Sequence, residues 1–387
     1  MTAHLICVSH PPFMHGFPAH PKKIKKNAPP MSQIFFDGTI SREIAPIPGH
    51  YPGGYMIQHG QIAGLIFGMT AGDCLGSPYI FMRSKNLFEQ AAKICWEIAP
   101  SAGISHMMFA SLGCISRCGL DHEKISRAYQ NWVRLGLHEL DFISVQCFGT
   151  PKTLSHAELL HNAQTAEHGA LCGNQLLIRQ IPITLACLRS PLPVLCEHIE
   201  ADALITHVDE ETIQCAKLYA QCMHCVLNKK TRTEIWDMLF EQAKTPAIYK
   251  LLLNSYYEKP VCDAHDYSHA KIALSLSLHH FWHNTPFVSA LRSTILSGGA
   301  TDTNAAAVGA LLGASQGIKA IPSPWRACLR ETENSEPLRL ALLKAEKLTA
   351  LRPYAINRPS RRSIPTNTRY NTNKSRPLTP PLHTQNT

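Results

Sequence analysis

The 387-residue chain has no uninterrupted apolar run approaching the ~20 residues a membrane-spanning helix needs, so no membrane partner is expected. Its start, MTAHLICVSHPPFMHGF, has no charged segment followed by a long apolar core, so no secretory signal is expected. Alternating apolar and polar runs are scarce, and Val, Ile and Thr do not gather into short regular segments, which argues against a sheet. The 14 cysteines follow no regular framework. A chain this long does not need disulfide staples, so free thiols in a reducing compartment are expected, cytoplasmic or else nuclear. Cys222 and Cys225 have a CxxC spacing, but no second pair stands at zinc-site distance, so they read as buried helix thiols. Acids are also missing from a long internal stretch: none lies between Glu97 and Asp121. That stretch cannot supply a carboxylate to a hard cation.

What is present is mostly helical. ISRAYQNWVRLGL, ETIQCAKLYAQCMHCVL, RTEIWDMLFEQA and EPLRLALLKAEKLTALR each place apolar residues three and four apart. The pattern predicts an all-α domain over residues 55–351, with long loops near 139–168 and 255–270. Residues 1–54 are rich in Pro and His and read as an irregular arm; residues 352–387 are rich in Pro, Asn, Thr and Arg and read as a disordered basic tail. The formal charge of +9 gathers at the ends, in KKIKK (22–26) and in a tail without acids. Such segments permit nuclear import or contact with nucleic acid, but a solvated tail is the plainer reading.

Glycine falls at 60, 64, 68, 72 and 76 in GQIAGLIFGMTAGDCLG, and again at 309, 313 and 317 in AAAVGALLGASQG. Positions four apart share one face of a helix. A face stripped of side chains lets another backbone come close, so two helices are expected to cross tightly within a bundle. The first stripe runs into Gly72-Asp73-Cys74, which is expected to interrupt that segment. Before the second stands Ser297-Gly298-Gly299-Ala300-Thr301-Asp302-Thr303-Asn304. There a sharp turn leads to side-chain oxygens at a helix start, a place for a cap, a phosphate or a metal.

AGDCLGSPY (71–79), SGGATDTNAAAVGALLGA (297–314) and the following QGIKAIPSPW resemble the ADP-ribosylglycohydrolase family. Between them, AGISHMMFASLGCI (102–115), GNQLLIRQIP (173–182) and ITHVDEET (205–212) fall in the family's order. The likeness spans about residues 57–330. It implies an all-α, ADP-ribosylglycohydrolase-like orthogonal helical bundle whose relatives release ADP-ribose from modified side chains with two magnesium ions.

The resemblance also shows what is gone. Magnesium takes hard oxygen ligands, chiefly carboxylates. By position, the family's first Glu falls on Ile80, its Thr-Asp-Asp-Thr on Ala102, Gly103, Ile104 and Ser105, and its Gly-Gly-Asp-x-Asp-Thr on Gly298 to Thr303. Asp302, Thr303 and Ser105 are therefore the remnant of the metal site, and no catalytic residue or resident cofactor is expected. His106 reads as a partly buried helix histidine rather than a ligand, and Asp73 as structural. On the ligand side the likeness places Asn174, Arg179, His207, Gly298 and Gly299. Gln175 replaces a family glycine and would crowd a phosphate path. Their plain structural roles would be an internal ion pair for Arg179, a helix cap for His207 and a turn for the glycines. Three readings follow. One is a pseudoenzyme binding an ADP-ribose-like ligand, an ADP-ribosylated protein or another protein partner. The second is an active hydrolase that recruits acids such as Asp141, Glu158, Asp263 or Asp266. The third is a purely structural or interaction protein with its cleft closed.

Overall fold

Seventeen α-helices are present in the computed structural model, which describes residues 53–98, 103–115, 120–135, 142–165, 173–260, 262, 269–331 and 335–350. In chain order they are α1 (Gly53–Gly76), α2 (Ser84–Glu89), α3 (Gly103–Cys114), α4 (His122–Leu135), α5 (Phe142–Phe148) and α6 (His156–Thr165). Then come α7 (Gln175–Arg179), α8 (Ile181–Ala186), α9 (Leu192–Ala203), α10 (Glu210–Leu227), α11 (Arg232–Gln242) and α12 (Pro246–Tyr257). The last are α13 (Ala270–Trp282), α14 (Phe287–Leu296), α15 (Thr301–Gln316), α16 (Ser323–Glu331) and α17 (Ser335–Ala350). Among the described residues there is no strand, only isolated bridges between Arg83 and Gly298 and between Gly173 and His269. The all-α expectation therefore holds. None of these helices is long and apolar enough to cross a membrane.

Local chemistry starts these helices. Thr231 and Glu234 form a reciprocal capping box at α11, and Asp209 accepts the Thr212 N–H at α10. Pro182, Pro193 and Pro246 stand in first turns, where no amide donor is missed. The loop expected over 139–168 is largely helical instead, as α5 and α6. Its signal is Ser155-His156-Ala157-Glu158: the Ser155 amide and hydroxyl bond Glu158 Oε2, and the Glu158 amide returns a bond to Ser155 Oγ. α1 begins at Gly53, two residues before the expected domain start at 55. The rest of the arm and the tail from 352 lie outside the described residues, as does Ala102.

The glycine stripes meet as expected. α1 and α15 run antiparallel, with Gly64 against Gly313, Gly68 against Gly309, Gly72 against Ala305 and Gly76 against Thr301. A methyl group built at Gly64, Gly68, Gly72 or Gly76 would fall within 3.0 Å of the facing backbone carbonyl oxygen. The relation is mutual at Gly68 and Gly309. Each presents its Cα to the other's carbonyl, the arrangement of a Cα–H···O contact worth ~0.5–1 kcal/mol. Asp73 does not interrupt α1, which continues unbroken to Gly76. Around this axis α13 and α14 pack on α15, α17 packs on α1 and α3, and α4 packs on α3. The main core is continuous through all of them.

Candidate functional site

The end of α1, the start of α3 and the start of α15 converge, and Asp73 stands between them. It lies one turn before the end of α1 and is 1% exposed. Its Oδ2 accepts the Ser105 amide at 2.8 Å. That amide belongs to the first turn of α3, whose N–H groups have no partner within the helix. Asp73 thus caps a second helix from within the first. Burial, and then the charge of Asp302, push its carboxyl up to about 7, against the opposing pull of Ser105. Asp73 Oδ1 and Ser105 Oγ are buried and have no hydrogen-bond partner among the described residues.

Asp302 is in the first turn of α15 and is partly exposed. Thr303 Oγ1 donates to Asp302 Oδ1 at 3.3 Å. The expected cap at this helix start is not made by these residues. The N-cap is Ala300, which has no side-chain bond, while Thr301 Oγ1 donates to Gly76 O at 2.8 Å and ties α15 to α1. Asn304 instead accepts the Asn174 side-chain amide at 2.8 Å.

Gly298 and Gly299 have φ of 78° and 76°, a backbone that favours glycine. The turn they form docks on residues 81–83: Phe81 N–H donates to Gly299 O at 2.7 Å and Gly299 N–H to Met82 O at 3.1 Å. Gly298 N–H donates to Ile295 O at 3.0 Å. The expectation of free amides here, ready for a phosphate, is therefore not met, because both are used internally. The docked segment carries a residue the sequence did not flag. Phe81 has φ of 63°, rare for a bulky side chain, and is 65% exposed.

Arg179 and His207 belong to one buried network. Arg179 Nε donates to Asp202 Oδ2 at 2.8 Å, and its Nη2 donates to Asp202 O and Thr206 Oγ1, each at 2.8 Å. Tyr129 Oη and Gln180 Nε2 also donate to the Asp202 carboxylate. His207 Nε2 accepts the Gly173 amide at 3.1 Å. Its proton is therefore on Nδ1, which faces Thr206 Oγ1 at 2.7 Å. Burial, with Arg179 close by, holds the ring well below its ordinary pKa and neutral. His207 caps no helix; Asp209 caps α10. Its work is to hold the turn that carries Asn174. Asp202 is the centre of this network; it is one of three acids in α9, with Glu197 and Glu200, so nothing local in the sequence singled it out.

The donor set does not fit two magnesium ions. Ile80 is partly buried, Ile104 and Ala300 are buried, and Gly103 has no side chain. Among the described residues two carboxylates stand here, Asp73 and Asp302, and burial pushes the Asp73 carboxyl up to about 7. Among the described residues, no three His, Cys, Asp or Glu side chains are grouped to hold a metal. Cys222 and Cys225 are buried in α10 with their thiols pushed up by burial, and no disulfide joins the described cysteines. His106 is fully buried in α3. Of the acids considered as replacements, Glu158 is bonded to Ser155 and Lys152. Asp141, Asp263 and Asp266 lie outside the described residues.

Comparison with known proteins agrees with this fold. No curated protein matches the chain. Among solved structures, one described as an ADP-ribosylglycohydrolase-related protein complex is similar over 76% of this chain and 99% of its own, at 19% identity and a TM-score of 0.58. That likeness shows the fold. The ADP-ribosylglycohydrolase family profile matches residues 56–352, from near the start of the first glycine-striped helix to just past the last helix. The chain therefore belongs to the ADP-ribosylglycohydrolase family.

Proposed function

We propose that this chain is a non-hydrolytic member of its family, which has given up the binuclear magnesium centre and acts by binding. The observation that carries this reading is that Ile80, Gly103, Ile104 and Ala300 stand where the resemblance implies carboxylates, around a site that among the described residues has Asp73 and Asp302. Magnesium acts as a Lewis acid and organises water. Two such ions carry four positive charges, and two carboxylates do not balance them.

The ligand class favoured is ADP-ribose, free or attached to a protein. Supporting this is Phe81, an exposed aromatic ring on the segment that docks against the Gly298–Gly299 turn beside Asp302. A bulky residue held at positive φ is strained by about 1–3 kcal/mol, and such strain gathers at binding sites. The ring offers a stacking face to a nucleobase. A protein partner is the second reading. It is favoured by the commitment of Arg179 and His207 to internal bonds and by the exposed Tyr249, Tyr256 and Tyr257 on α12.

Calorimetric titration of the full chain with ADP-ribose, with and without magnesium, tests this. Binding of equal affinity in both conditions is the expected result. Absence of binding in both transfers the function to a protein partner. Magnesium-dependent release of ADP-ribose from a modified protein would overturn the proposal.

A further inference from the structure

The end of α13 lies at the opposite end of α15 from Asp302: Gln316, the last residue of α15, donates from Nε2 to Thr285 O at 2.7 Å. Here His279 and His283 stand four residues apart, at the last turn of α13 and its C-cap, and share one helix face. Their ring centroids are 4.7 Å apart. His279 is partly buried and His283 is exposed. Each ring is oriented by a backbone carbonyl from the end of α12. His279 Nδ1 meets Ser255 O at 3.1 Å, and His283 Nε2 meets Tyr256 O at 2.7 Å. A carbonyl oxygen only accepts, so these two nitrogens carry the protons. In the neutral rings His279 Nε2 and His283 Nδ1 are therefore bare lone pairs, with no hydrogen-bond partner among the described residues. His280 stands apart from the pair, buried with Nδ1 at 3.2 Å from Thr285 Oγ1.

We infer that His279 Nε2 and His283 Nδ1 together bind one divalent transition-metal ion of imidazole preference, with water in its remaining positions. Metal-ligating histidines are characteristically held this way, one ring N–H given to a carbonyl so that the other nitrogen meets the ion. A histidine pair at this spacing on one helix face is a recurrent zinc-binding arrangement. Imidazole suits zinc, copper and nickel rather than magnesium, and zinc is the member without redox chemistry. α12 and α13 both end here, and the partial negative charge of helix C-termini favours a cation. Burial lowers the pKa of His279, with His283 and Lys259 adding to the effect, which favours the neutral ring that a metal requires. Lys259 itself is tied away, its Nζ donating to Ser293 O at 3.3 Å. Because both rings are anchored on α12, the ion would fasten the end of α13 to that helix. The site differs from the family's cleft in place and in ligand chemistry, and it stands whether or not the cleft binds ADP-ribose.

The chain has 21 histidines and 14 cysteines, so the test reads a difference between variants rather than a total. The full chain, His279→Gln, His283→Gln and the double variant are titrated calorimetrically with zinc chloride, and with nickel chloride in parallel. Melting curves are taken with zinc and with a chelator. Each single variant is expected to bind one zinc fewer than the parent in the micromolar range, and the double variant no fewer than either single one, because both side chains serve the same ion. Zinc should also raise the melting temperature of the parent by more than that of the variants. His283 is exposed, so His283→Gln keeps the test decisive if His279→Gln does not fold. A purely structural role for these rings would lower melting in chelator and leave the number of ions unchanged, which would overturn the inference. A loss confined to one single variant, or two ions lost in the double variant, would overturn it as well.

Discussion

The α1–α15 crossing supports a test in which one substitution has opposite signs at two places on the same helix face. Gly60 and Gly68 are two turns apart on α1, and both lie on the stripe. At Gly60 an added methyl meets nothing within 4 Å, whereas at Gly68 it strikes the Gly309 carbonyl and comes within 3.1 Å of the Phe287 ring. Alanine is about 1 kcal/mol better than glycine inside a helix. Gly60→Ala should therefore stabilise the fold by up to that amount. At Gly68 the same gain is set against overpacking, which costs about 1–3 kcal/mol. The obstacle is backbone on the facing helix, not the tip of a side chain, so the upper end applies and the net loss is about 2 kcal/mol. That is about a thirtyfold fall in the ratio of folded to unfolded chain. Urea unfolding followed by far-ultraviolet circular dichroism measures both, the midpoint rising slightly for Gly60→Ala and falling for Gly68→Ala. The pair Gly68→Ala and Gly309→Ala adds a second check. Once the first methyl has parted the helices the second finds room, so the double variant should lose less than the two single losses together. Gly60→Ala and Gly68→Ala shifting the midpoint in the same direction would refute the close-packing argument.

Other outcomes follow from the buried polar groups. Asp202→Asn removes the partner of a fully buried Arg179 and should cost about 3–5 kcal/mol in urea unfolding, with Arg179→Met in the same chain restoring much of it. Burial pushes His122 down to about 4 and His280 to about 3. Both are neutral when folded but take a proton readily when unfolded. Their stability is thus present above pH ~6.5 and is lost as pH falls toward their folded values, which a series of thermal melts from pH 7 to 4 would register. Asp73 acts with the opposite sign, since its raised pKa favours the folded state at low pH and that contribution is lost as pH rises from about 4 through 7. Asp73→Asn should therefore flatten the upper part of the profile. Phe81→Gly should raise the melting temperature by relieving a positive φ, while weakening ADP-ribose binding in the titration above.

Periodicity alone determined much of this protein. The recurrence of apolar residues three and four apart gave helices, and the glycine spacing gave the central crossing, because both depend only on the geometry of one helix and its near neighbours. The absence of acids between Glu97 and Asp121 was equally legible, since the order of residues does not depend on folding. The short helices α5 and α6 were missed because their pattern is brief, although Ser155 and Glu158 carried the signal of a cap. What only the tertiary structure decided is how polar groups are spent. Gly298 and Gly299 look available until the 81–83 segment is seen to take the Gly299 amide. Arg179 and His207 look like ligand contacts until Asp202, Thr206 and Gly173 close around them. Asp73 and Asp302 are far apart in sequence, and nothing local brings their charges together. Their pairing follows from the antiparallel close approach of α1 and α15, and hydrogen bonds and charge act through space, not along the chain.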